Sequence, residues 1–85
     1  MEKKVSYGDF LRAFDDLQAK IYDGRIQVGI IYDVLGGPVH LGVNWAGIGT
    51  VSAEETVKFA GKLAAAAEAT ANFKYNGYTI VYGRD

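Results

Sequence analysis

No cysteine occurs anywhere in the chain. Disulfides, thiolate metal sites and cysteine nucleophiles are therefore excluded, and a reducing compartment is the expected setting. A single histidine, His40, leaves no second imidazole with which to build a metal site. The acids Asp9, Asp15, Asp16 and Asp23 fall along one segment and lack the alternating spacing of a calcium loop. Charge of one sign is also missing. Nine Lys and Arg stand against ten Asp and Glu, a net charge of -1, and the basic residues are scattered from Lys3 to Arg84. A nucleic-acid backbone calls for a concentrated positive face, so direct nucleic-acid binding is not expected. Long apolar runs are absent too. Met1-Glu2-Lys3-Lys4 leads into a segment with Asp9, Arg12, Asp15 and Asp16, which resembles neither a signal-peptide core nor a membrane span. The expected location is cytoplasmic, with no membrane partner.

What is present reads as one folded unit, residues 1–85. Hydrophobic residues make up 49% and charged residues 22% of the sequence, an ordinary globular balance. At this length folding hides only about 60–65% of the extended chain's surface, so association, including homodimerisation, is a useful stabiliser.

Ser6 followed by Asp9 reads as a helix cap with an acid in the first turn. Phe10, Phe14, Leu17 and Ile21 then recur at helical spacing, and Asp23-Gly24 supplies the stop. From Arg25 the period changes to two: Ile26, Val28, Ile30, Tyr32 and Val34, a turn at Gly36-Gly37-Pro38, then Val39, Leu41, Val43 and Trp45. A tight turn centred on Gly36-Gly37 predicts Val34 opposite Val39, Tyr32 opposite Leu41, Ile30 opposite Val43 and Val28 opposite Trp45. Ser52 and Glu55 form a capping-box pattern that opens a second helix running to about Asn72. Val57, Ala60, Leu63, Ala64, Ala67 and Ala71 are its predicted sheet-facing side, with Glu54, Lys58 and Lys62 in a charged stripe. After the turn signal Asn76-Gly77, residues 78–82 read as a third strand.

The predicted fold is α+β: a two-layer α/β sandwich in the order α-β-β-α-β, with a three-stranded, mainly antiparallel sheet and two helices on one face. A right-handed crossover places the last strand beside the first, and a parallel pairing with the second strand is the alternative.

Candidate chemistry is thin. Gly47-Ile48-Gly49-Thr50-Val51-Ser52 joins a strand to a helix as a phosphate loop does, but serine stands at the third glycine position. Glu54 and Glu55 add negative charge to the helix start. In the predicted register Asp33 faces His40, an arrangement that suits a cross-strand salt bridge and lacks the nucleophile of a triad. No catalytic, cofactor-binding or metal-binding residue is assigned, and no enzyme activity is expected.

Three surfaces remain. The sheet face away from the helices carries Gln27, Gly29, Ile31, Asp33, His40, Gly42 and Asn44. The second helix shows a smooth patch at Ala65, Ala66 and Ala69. Near the C-terminus gather Tyr75, Tyr78 and Tyr82, of the residue type favoured at interfaces. These features lead to a small non-catalytic protein that binds a macromolecule, most simply a protein partner, in the manner of a phage or mobile-element accessory inhibitor of a host protein. The competing expectation is a small-ligand or nucleotide module, with a pocket built from Trp45, Tyr32 and the Gly47–Ser52 turn.

Overall fold

The computed structural model describes residues 3–32 and 36–83. Six elements follow one another: β1 (Lys4–Ser6), α1 (Tyr7–Ile21), β2 (Ile26–Tyr32), β3 (His40–Trp45), α2 (Ala53–Ala71) and β4 (Thr79–Val81). The class is α+β with two helices, and the predicted order is preserved apart from the added β1.

Helix α1 forms as its spacing requires. The Asp9 N–H donates to Ser6 Oγ at 3.2 Å, so Ser6 is the N-cap. Phe10, Leu17 and Ile21 are buried, while Arg12 pairs with Asp9 on the wet side. The stop comes one residue earlier than predicted: Tyr22 turns extended (φ -61, ψ 132) as the C-cap, and Gly24 takes the left-handed conformation (φ 64) in the turn that follows.

The expected three-stranded sheet is not what forms. There are two two-stranded sheets, antiparallel β2–β3 and parallel β1–β4. Val5 is buried and pairs with Ile80, and Thr79 N–H donates to Lys3 O at 2.9 Å. The final strand therefore docks against the start of the chain, not beside β2. Its approach to the hairpin is on the β3 side, through an isolated antiparallel bridge between Pro38 and Thr79. Val39 completes this junction, donating to Tyr78 O at 2.9 Å and accepting from Gly77 N at 2.8 Å.

Within the hairpin the register of β2 up to Ile30 is displaced by two residues, and Ile30, predicted to face the core, is 48% exposed. Val28 lies opposite Val43, not Trp45; Ile30 faces Leu41; Trp45 faces Ile26; and Tyr32 faces His40 across an irregularity at Ile31. A two-residue displacement preserves which side each residue faces, so Ile26, Val28 and Leu41 are still buried. Val39 belongs to the junction with β4, and Val34 lies outside the described residues.

Helix α2 is capped as expected, with Glu55 N–H donating to Ser52 Oγ at 3.1 Å. Its buried side differs from the predicted one. Ala66 and Thr70 are buried, Phe59, Leu63 and Ala69 pack partly against the core, and Val57, Ala60, Ala64, Ala67 and Ala71 are exposed. Only Leu63 of the predicted side faces inward. The cause is area: the ring of Phe59 and the isobutyl group of Leu63 remove far more apolar surface from water than a row of alanine methyls. These two large groups set the rotation of the helix.

The result is long and thin, 48 × 20 × 19 Å, with a radius of gyration of 14.9 Å. A compact chain of this length has a radius of about 12 Å.

Candidate interaction surfaces

Helices cover one side of the β2–β3 ribbon and leave the other in water. On the bare side Gln27, His40 and Asn44 are exposed and Gly29 and Gly42 half-exposed, in agreement with the alternation. Gly29 and Gly42 face each other directly, and so do Gln27 and Asn44. Ile31, 75% exposed, has no partner in the ladder and lies across it. A Cβ on Gly42 would come within 2.5 Å of Ile31 Cδ1. Glycine at 42 is what lets this side chain lie flat on the ribbon. His40 is paired with Tyr32 in the ladder; the expected Asp33–His40 opposition involves Asp33, which lies outside the described residues.

The alanine patch divides. Ala65 is exposed and Ala69 half-buried, but Ala66 is only 3% exposed and belongs to the core. The smooth outward face of α2 is instead the row Ala60, Ala64, Ala67 and Ala71, with Val57 (71% exposed) at its head.

The tyrosines divide as well. Tyr75 and Tyr78 are half-buried with rings 5.2 Å apart, and Phe73 links Tyr75 to Phe10 through edge contacts of 6.1 and 5.7 Å. They close the edge of the core. The Lys74 ammonium lies 4.9 Å above the Tyr75 ring, and its side-chain hydrogen bond to Tyr75 pushes it above the usual lysine range. Tyr82 is exposed, its ring tilted against that of Tyr7 with centroids 5.3 Å apart.

Tyr32 ends β2 and Trp45 ends β3, at opposite ends of the ribbon. Beside the Gly47–Ser52 loop there is a cleft of about 410 Å³, lined by Ile48, Val51 and Phe59 together with Asp23, Arg25, Glu55, Lys58 and Lys62. Lys62 pairs with Asp23 at 3.2 Å, and Lys58 pairs with Glu55 at 3.8 Å. At the end of this loop Ser52 caps α2, accepting the Glu55 N–H through its Oγ and the Thr56 N–H through its C=O, and Glu54 and Glu55 bring negative charge to the first turn. Among the described residues no group of three or more His, Asp or Glu could hold a metal ion. No helix among them is long and apolar enough to cross a membrane.

Compared with protein-family models, with curated proteins and with solved structures, the chain has no match. Function therefore has to be argued from its surfaces.

Sequence reasoning did not assemble one cluster. Tyr22, Arg25 and Trp45 come together at the open end of the hairpin around a small hollow also lined by Gln27 and Asn44. Trp45 fits the alternation of a core residue, yet it is 54% exposed because it lies at the hairpin's end, 6.2 Å from Phe59.

Proposed function

We propose that this is a small non-catalytic protein that acts by binding another protein. The observation that carries the reading is its surface. The chain exposes 5845 Å², whereas a folded monomer of 9.2 kDa exposes about 4,900 Å². The excess of about 900 Å² is close to the roughly 800 Å² that each partner hides in a stable interface. Large apolar side chains are part of that excess, among them Ile31, Val57, Trp45 and Tyr22. A cytoplasmic accessory role, such as a phage or mobile-element factor that occupies a host protein, fits the small size. Homodimerisation would hide the same surface, so both arrangements fall within the proposal.

The test is the mass of the purified protein in solution, followed by capture from its native host and the mass of the complex formed. A dimer, or a stoichiometric complex, supports the reading. A monomer at high concentration that captures nothing contradicts it.

The cleft of about 410 Å³ favours a second reading, a small-ligand module whose pocket lies beside the Gly47–Ser52 loop. A thermal-shift panel of nucleotides and metabolites separates the two. Stabilisation by a member of the panel, abolished by Phe59→Ser, would establish the ligand module.

A further inference from the structure

We infer that the open end of the hairpin docks an acidic segment of a partner protein, with Tyr22, Arg25 and Trp45 as anchors. This rests on the binding reading above and gives the partner its chemistry.

The three residues come from different parts of the chain. Tyr22 caps the end of α1, where the chain turns extended, and is 59% exposed. Arg25 immediately precedes Ile26, which pairs with Trp45, and Arg25 C=O accepts from Ala46 N at 2.9 Å. The ribbon thus fixes the backbone of Arg25 beside that of Trp45. Phe59 supports the indole from the helix side.

Charge selects the occupant. Asp23 and Glu55 lie in the adjoining cleft, but their carboxylates already face Lys62 and Lys58. Arg12 is held by Asp9. Among the described residues Arg25 is the arginine with no acidic partner, and its planar fork suits a carboxylate. A guanidinium flanked by exposed Trp and Tyr is the residue combination that dominates binding energy at protein interfaces.

The dimensions favour a side chain over a free metabolite. The hollow measures about 160 Å³, well below the roughly 300 Å³ at which small-molecule pockets begin. Gln27 and Asn44 at its rim carry amides that can bond the backbone of an incoming segment. A nucleic-acid strand fits the aromatics, but the lining of the hollow holds one cation, Arg25, and no row of them to neutralise successive phosphates.

Trp45 is the sole tryptophan, so its fluorescence reports directly on this site. The experiment selects peptides from a random displayed library on the full-length protein, then titrates the selected peptide and a twin with Gln for Glu and Asn for Asp. A ten-nucleotide oligothymidylate is the nucleic-acid arm. The expected result is an acidic peptide with an apolar neighbour that changes Trp45 emission. Its affinity should fall at least tenfold in the neutral twin and in Arg25→Gln, and stay unchanged in Arg12→Gln, an arginine on α1 already held by Asp9. Neutral peptides binding as well as acidic ones, full binding by Arg25→Gln, no selected peptide that alters Trp45, or tighter binding of the oligonucleotide would each overturn it. A host partner captured equally by wild type and Arg25→Gln would reject this site while leaving the binding reading intact. Far-UV circular dichroism checks that Arg25→Gln keeps the native fold.

Discussion

The two helices differ in how many ways each can be laid against a sheet. Helix α1 has one apolar side, Phe10, Phe14, Leu17 and Ile21, opposed by charged residues, and that side is the one it buries. Helix α2 has two. One row runs through Phe59, Leu63, Ala66 and Thr70; the other, about a quarter to a third of a turn away, runs through Val57, Ala60, Ala64, Ala67 and Ala71. Both rows keep helical spacing, so periodicity does not choose between them, and bulk does. A row of methyls loses to a phenyl and an isobutyl group. The losing row then stays in water, which is how a helix that reads as core contributes to the exposed surface.

Several substitutions break or sharpen this contrast. The largest effect is expected from a charge placed on each row in turn. Ala66→Glu buries an unpaired carboxylate and should abolish cooperative folding, because a domain of this size has only about 3–5 kcal/mol to lose. Its twin Ala64→Glu should change stability by no more than about 0.5 kcal/mol. Urea unfolding of the pair measures this; equal damage from both would mean that α2 is rotated differently. Next in size, Phe10→Ala in α1 should cost about 3–5 kcal/mol, since the ring is buried against Phe14 and Phe73. A loss below about 1 kcal/mol would place the core elsewhere. The smallest effect has the opposite sign. Thr70 is buried and its Oγ1 has no hydrogen-bond partner, so Thr70→Val should raise stability by about 1 kcal/mol. A lower melting temperature would show that the hydroxyl has a partner after all.

The same contrast explains what the sequence made legible. Helix α1, the hairpin and the capped start of α2 are local patterns, written in residues within a few positions of each other. The hairpin register is less local: it depends on the turn, and a bulge at Ile31 with a longer connection displaces it by two residues. β1 is only three residues with one buried side chain, Val5, too short to show any period. Its pairing with β4 joins the two ends of the chain, and that belongs to tertiary packing. The bare sheet face could be read from alternation alone. The Tyr22–Arg25–Trp45 cluster could not, because it draws on a helix end, a loop and the last residue of a strand, and alternation assigns Trp45 to the core.

The orientation of α2 is the claim on which the exposed surface depends, and the lack of native cysteine makes it directly measurable. Single-cysteine variants Val57→Cys, Ala64→Cys and Ala66→Cys can be labelled with a thiol reagent under native conditions. The first two should react at nearly the rate of the unfolded chain, and Ala66→Cys at least a hundredfold more slowly. Fast labelling at position 66, or protection at 57 and 64 in the monomer, would contradict the account.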